Sequence, residues 1–316
     1  MGAGLDIRSL DAPFGAAVHG LDLNRTPDAP DVIDTLVDAL HEHRMLVIKR
    51  QSLAIENYVT FGRQIGEPII HVVKAIRMEA CPEVAVVGNV GDRQKSDPLR
   101  LAASFWHTDQ AYEDEPASAT MLYCVEAPEE GGQTMLTDTI AAYDALDEHM
   151  KARLEGLVVR HSYGAASGRD GEYDARGSLT EKQRNHVVPV YHPLVLRHPA
   201  TGRRSLYAVA GTPEGIEGMA DDDSQALLRE LKQHVLKPDF RYDHTYEVGD
   251  LAIWDTFATM HSAVPIAHAS ADPRNTRLLW RISCRGAPAP YRPDAAHAGA
   301  VPRKGDWNLD AAHPGG

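Results

Sequence analysis

Cysteine is scarce in this chain. Cys81, Cys124 and Cys284 are the only three among 316 residues. The number is odd and no short pairing stands out, so a disulfide framework is not expected and a reducing compartment is. Positive charge is also short, with 32 Lys and Arg against 45 Asp and Glu, a formal net charge of −13. Phosphate backbones need a basic footprint, so nucleic acid is excluded as a partner class. A small anion is not excluded, because a few local cations can hold one. No apolar run approaches the roughly 18 residues of a membrane span, so no membrane partner is expected. The opening stretch MGAGLDIRSLDAPFG has no apolar core of a secretory signal, and Asp6 stands where a myristoylation signal carries Ser or Thr. The expected location is the cytoplasm. There is no internal repeat and no long low-complexity block. No strand runs into G-x-G-x-x-G, the usual sign of a dinucleotide-binding sheet, and there is no H-E-x-x-H.

What remains has the balance of a globular protein, 43% hydrophobic and 24% charged. Val32, Ile33, Leu36, Val37 and Leu40 recur at helical spacing, which predicts an amphipathic helix over 28–43. MLVIK (45–49) reads as a buried strand, and Ile55, Tyr58, Val59 and Ile65 as a second helix ending near Gly66. VAVVGNV (84–90), MLYCVEA (121–127) and LVVRHSY read as strands, as does GGQTMLTD (131–138) after its turn. IAAYDALDEHMKARLEG (140–156) and DDSQALLRELKQHVL (222–236) have helical patterns, the latter with an acidic start that suits the helix dipole. LYAVAG (206–211) reads as a strand, 240–264 as a hairpin around Gly249, and RLLWRISCRG (277–286) as a closing strand. Arg93–Ala103 is polar and irregular beside the strongest motif, as a lid would be. Ala165–Asn185 is polar and Gly-rich, and mobility is expected there. Many short strands with helices before and between them predict a β-sandwich or jelly roll with helical additions. A doubly wound α/β sheet is the competing architecture. One domain over 1–286, with an insertion around 165–200, and a Pro/Ala/Gly-rich tail over 287–316 complete the expected organisation.

The strongest motif is FWHTDQAY (105–112). As a strand it would point His107 and Asp109 to one face, because side chains alternate. An imidazole and a carboxylate so placed are either a hydrogen-bonded pair or two ligands of one metal. A facial site of two His and one carboxylate leaves open positions on Fe(II). Of 16 His, His261 stands out, since it follows an apolar strand after the turn at Gly249. By itself it could equally be a structural histidine. Arg277 and Arg281 lie four apart in an otherwise apolar strand and so face one side. Either that strand is an exposed edge, or the two guanidiniums clamp carboxylate-like groups in a pocket. Thr134, after the Gly131-Gly132 turn, could add a hydroxyl to such a clamp.

W-H-T-D, G-G-x-T, W-D-x(5)-H and R-x(3)-R, in this order at Trp106, Gly131, Trp254 and Arg277, together resemble the taurine and 2,4-dichlorophenoxyacetate dioxygenase (TauD/TfdA) family. The resemblance covers most of the chain, including FGAAVHGLDLNR (14–25), HEHRMLVIKRQSL, FGRQIGEP and HPATGRRSLY. It implies a double-stranded β-helix (jelly roll) core flanked by α-helices. It implies an Fe(II)- and 2-oxoglutarate-dependent dioxygenase that uses O2 to oxidise, most simply to hydroxylate, an aliphatic C–H bond of a small anionic organic substrate, releasing succinate and CO2. Desaturation, or C–X cleavage after hydroxylation, belongs to the same chemistry. Residue by residue, His107, Asp109 and His261 match the iron ligands, and Thr134 and Arg277 the holders of the distal carboxylate of 2-oxoglutarate. Arg281 and His71 match substrate-side groups. Against the taurine-type pattern, Ala103 replaces a polar amide and Lys74 an aromatic, while Tyr112 keeps an aromatic. Lys74 and Arg281 together could receive a doubly charged or longer anion, unless Lys74 is only a solvated loop lysine. The family's habit makes a homodimer or homotetramer the expected assembly. A zinc hydrolase on the same ligands is the rival enzyme class, but it gives no reason for the Arg277 and Thr134 clamp. A non-catalytic jelly-roll binding module is the second rival.

Overall fold

The computed structural model describes residues 5–28, 30–91, 101, 103–163, 181 and 188–291. The expected lid over 93–103 and the expected mobile segment over 165–185 lie almost wholly outside these residues.

The chain starts with strands β1 (Asp6–Ser9) and β2 (Ala16–His19), helix α1 (Pro30–His43), β3 (Met45–Ile48), α2 (Ile55–Ile65), β4 (Glu67–Pro68) and β5 (Ala85–Gly88). There follow β6 (Ala119–Glu126), β7 (Thr134–Asp138), α3 (Thr139–Asp144), α4 (Glu148–Leu154) and β8 (Val158–His161). Next are β9 (Val190–Pro193), β10 (Val195–Arg197), β11 (Arg204–Leu206), β12 (Pro213–Ile216) and α5 (Asp221–Val235). The last elements are β13 (Arg241–His244), β14 (Leu251–Asp255), β15 (Thr259–Ala263) and β16 (Leu278–Arg285).

The larger sheet runs β1-β2-β3-β14-β6-β16-β4, with β5 also on β16. Opposite it stand β13-β7-β15 and β12-β8-β9. The central strands of the larger sheet read as unbroken apolar runs because both of their faces are buried. Met121, Tyr123, Leu46, Ile48 and Ile253 pack against Leu36, Leu40, Tyr58 and Phe61 of α1 and α2. Their alternate neighbours Leu122, Cys124, Met45, Val47, Ala252 and Trp254 pack inward with Leu136 and Tyr246. On the far side, α5 lays Leu227, Leu228, Leu231 and Val235 on Val159, Ile216 and Met260. Two facing sheets jacketed by helices make the jelly roll that the sequence leads one to expect, not a doubly wound sheet. Among the described residues no helix is long and apolar enough to cross a membrane.

Three local expectations are corrected. The helix over 140–156 is two, because Asp138 caps α3 through the N–H groups of Ile140 and Ala141, and Asp147 caps α4 through Met150. Each cap is worth about 1 kcal/mol, enough to divide a short periodic stretch. The hairpin around Gly249 does not form. β13 pairs with β7 in one sheet and β14 with β3 and β6 in the other, so the chain changes sheets at that turn. The apolar strand goes to a sheet centre covered on both faces, while the alternating RYDH goes to an edge. LYAVAG is strand only to Leu206; Ala208 has φ +47 and Gly211 φ +87. Its apolar residues are buried, but in a loop that bends behind His107.

Candidate metal centre and active site

His107 is not in a regular strand. It forms an isolated antiparallel bridge with His261, each backbone N–H donating to the other's carbonyl at 2.9 Å. That bridge brings the two imidazoles to a centroid separation of 4.3 Å. Asp109 completes the group, with Oδ1 at 3.7 Å from His107 Nε2 and Oδ2 at 3.6 Å from His261 Nε2. Phe105 packs on the ring of His107 and Trp254 on that of His261, at 4.9 and 4.7 Å between centroids. Gly211 backs the site. A Cβ there would stand 2.7 Å from His107 Cβ, so only glycine lets the loop pass.

A second group of similar composition exists, His41, His198 and Asp255. Proton positions separate the two. His198 Nδ1 accepts the backbone N–H groups of Ala200 and Thr201, at 3.2 and 3.1 Å. Its proton is therefore on Nε2, 2.7 Å from Asp255 Oδ2, and no lone pair is left for a metal. His107 is arranged the other way. Its Nδ1 lies 2.7 Å from the carbonyl of Phe105, which can only accept. A proton is therefore on Nδ1, and Nε2 is the nitrogen that faces Asp109, the orientation a ligating histidine needs. Burial pushes the His261 pKa down to about 3 despite Asp109, so this imidazole is neutral. Burial would raise Asp109, but Arg281, His261, His107 and a hydrogen bond from Thr120 outweigh it and hold the carboxyl well below its usual range. Two imidazoles and an ionised carboxylate form a donor set that fits a divalent metal.

The strand register places the remaining candidates. Leu136 of β7 pairs with His261 and Thr134 with Ala263, so Thr134 lies one step along the interior face from His261. Its hydroxyl is 2.9 Å from that of Tyr246. Arg277 is 6% exposed and its Cζ lies 5.8 Å from the Tyr246 ring centre. Burial pulls its pKa below the usual arginine value, and among the described residues its Nε has no hydrogen-bond partner and no carboxylate comes within ion-pair distance. A buried cation with an orphaned donor is costly unless an anion reaches it. Gly132, at φ +68, leaves room for this side chain, since a Cβ there would meet Arg277 Cδ at 2.9 Å.

A cavity of about 1240 Å³, counted to its open mouth, is lined by His107, Asp109, His261, Thr134 and Arg277 together with His71, Tyr112 and Arg281. Arg281 donates from Nη2 to Asp109 Oδ1 at 2.7 Å. His71 Nδ1 accepts the N–H of Val73, so its proton is on Nε2. Burial and the nearby Arg281 push its pKa down to about 3, leaving a neutral donor. Tyr112 meets Tyr163 edge to face at 4.9 Å, and Val73, Ile76, Val86 and Phe105 extend an apolar wall. Lys74 is the candidate that the structure does not bring in: it is exposed on a 3-10 turn and does not line the cavity. Sequence reasoning missed Thr120, Tyr246, Tyr163 and Gly211. The strand alternation of β6, carried back to Thr120, would have pointed to the first of these.

A profile of the family described as taurine catabolism dioxygenase TauD, TfdA matches residues 6–283. Pentalenolactone F synthase of Streptomyces arenae is 32% identical over 90% of this chain and 97% of its own length. The (S)-phenoxypropionate/alpha-ketoglutarate-dioxygenase of Sphingobium herbicidovorans is 33% identical over 92% and 98%. The crystal structure of AAD-2 in complex with Mn(II) and N-oxalylglycine superposes with a TM-score of 0.73 at 28% identity, over 92% of this chain and 99% of that one. With a family profile spanning nearly its whole length, the chain belongs to the TauD/TfdA family of 2-oxoglutarate-dependent, non-haem iron dioxygenases.

Proposed function

We propose that His107, Asp109 and His261 hold Fe(II), that Thr134 and Arg277 hold the distal carboxylate of 2-oxoglutarate, and that the enzyme hydroxylates a small monoanionic substrate with an apolar body. The observation that carries this is the buried Arg277, with no carboxylate partner among the described residues, in the same cavity as the His and Asp donor set. When bound, Fe(II) and 2-oxoglutarate supply the oxidising chemistry: the oxoacid and O2 give succinate and CO2, and the second oxygen atom enters a substrate C–H bond. The chain's own groups do the rest. Arg277 offers a fork that matches a carboxylate, and Thr134 adds a hydroxyl. Arg281 and the Nε2–H of His71 receive the substrate's anionic head. Tyr112, Tyr163, Val73 and Ile76 pack its apolar part and exclude water, so positioning is the protein's main contribution.

Charge supports one anionic group rather than two. With Fe(II) and dianionic 2-oxoglutarate in place, the charged groups among the described cavity-lining residues, Arg277, Arg281 and Asp109, leave one positive charge. A monoanion balances it. Lys74, the cation that would support a dianion, lies outside the cavity. The Sphingobium herbicidovorans relative, whose named substrate (S)-phenoxypropionate is such a monoanion, supports the same reading. If the hydroxylated carbon also carries oxygen or a sulfonate, the product falls apart and the net reaction is C–X cleavage.

The test is an anaerobic visible spectrum of the apoprotein with Fe(II) and 2-oxoglutarate. A weak charge-transfer band is expected, shifting when an aryloxy- or alkyl-carboxylate is added. A folded protein with no band would overturn the assignment and favour zinc and hydrolysis. A shift only with dianions such as phosphonates would overturn the charge reading.

A further inference from the structure

We propose that Thr120 and Ser283 form a buried hydroxyl pair that positions Asp109 for its metal. The inference rests on the reading of His107, Asp109 and His261 as ligands. Thr120 on β6 and Ser283 on β16 are direct cross-strand partners, and both are buried. Thr120 Oγ1 lies 2.7 Å from Asp109 Oδ2 and 2.7 Å from Ser283 Oγ. An ionised carboxylate only accepts, so Thr120 gives its single proton to Asp109. Ser283 must then donate to Thr120. The order of protons runs from the strand pair to the carboxylate.

The two oxygens of Asp109 thus have different holders. Oδ1 is held by Arg281, which also lines the cavity and, on the proposed reading, meets the substrate. Oδ2 is held by a hydroxyl fixed in the paired β6–β16 framework. Thr120 does not line the cavity, and no substrate competes for it there. It keeps the carboxylate oriented when Arg281 turns to an incoming anion. Hydrogen bonds to an ionised acceptor are among the stronger ones, and removing a group that supports a ligand weakens metal binding by about 10- to 100-fold.

The test is Mn(II) binding to the apoprotein, followed through the electron paramagnetic resonance signal of the free ion, with thermal midpoints measured on the same samples. T120V should bind about 10- to 100-fold more weakly. T120S should recover most of the affinity, because it restores the donor. S283A should fall between them. A structural role alone would move the midpoints and leave the affinities together. Wild-type affinity in folded T120V would overturn the proposal. If T120V does not fold, wild-type affinity in S283A would overturn it, and weakened binding at an unchanged midpoint would support it. Failure of the wild-type protein itself to take up Mn(II) would instead strike the ligand assignment.

Discussion

Nη2 of Arg281 lies 2.7 Å from Oδ1 of Asp109, a residue 172 positions earlier in the chain. One guanidinium therefore serves both the proposed ligand set and the proposed substrate side. R281A should raise the KM for the prime substrate at least tenfold while the 2-oxoglutarate complex still forms, as steady-state kinetics and the visible band would show. Metal binding should weaken as well, because Asp109 loses one anchor. K74A, at an exposed position outside the cavity, should leave kcat/KM within about twofold of wild type, since surface changes away from such features have small effects. An intact KM in R281A, or a large loss in K74A, would exchange the roles of the two cations.

Arg277 makes a sharper case, because function and stability should move in opposite directions. Its guanidinium is buried, with an unbonded Nε and no carboxylate partner among the described residues. R277M removes a desolvated charge and keeps a similar volume, so the midpoint of the apoprotein should be unchanged or higher. The KM for 2-oxoglutarate should rise about 30-fold or more, the loss of roughly 2 kcal/mol or more typical of one partner of a buried charge pair. Calorimetry of the apoprotein reads the first and steady-state kinetics the second. A clear fall in the apo midpoint would mean that Arg277 holds the fold rather than a ligand.

G211A should be costly at the site and G131A should not. Both positions have positive φ, which costs about 1–2 kcal/mol for a residue with a side chain. Only at Gly211 would the new Cβ strike His107, at 2.7 Å; at Gly131 nothing lies within 4 Å. Urea midpoints should fall in both variants, and Mn(II) affinity in G211A alone.

Stability should fall with rising pH through the ionisation of Glu113. Burial lifts its pKa from an ordinary 4.5 to about 7, against the pull of Arg285 at 2.9 Å. Between these values the folded chain keeps a proton that the unfolded chain has released. This contribution is fully present below the unfolded value and is lost as pH rises through the folded one. At about 1.4 kcal/mol per pH unit, the loss is roughly 3 to 4 kcal/mol. E113Q cannot ionise, so its midpoint should gain on wild type between about pH 4.5 and 7. Parallel profiles for the two proteins would contradict this.

Much of this was legible in the chain. Helical periodicity located α1, α2 and α5 nearly to the residue, because one apolar face of each covers a sheet. The IAAYDALDEHMKARLEG stretch misled, since its periodicity continues through a break that Asp147 enforces by capping. The 240–264 segment misled for a different reason. A turn glycine announces a change of direction but not which sheet receives the next strand, and that depends on partners contributed by β3, β6 and β7.

The sequence by itself determined the family and the residue types of the site, because H-x-D, the Gly-Gly turn, W-D-x(5)-H and R-x(3)-R are local patterns whose order survives without coordinates. Tertiary structure decided which of these groups meet and in what state. Only the bridge between His107 and His261 brings two distant imidazoles together, and only the Phe105 carbonyl settles where the proton of His107 sits. Only the cross-strand pairing of β6 and β16 sets Thr120 beneath Asp109, and only the turn at Lys74 sends that lysine to solvent. Proton position, desolvation and charge pairing depend on neighbours within a few ångströms, and folding draws most of those neighbours from far along the chain.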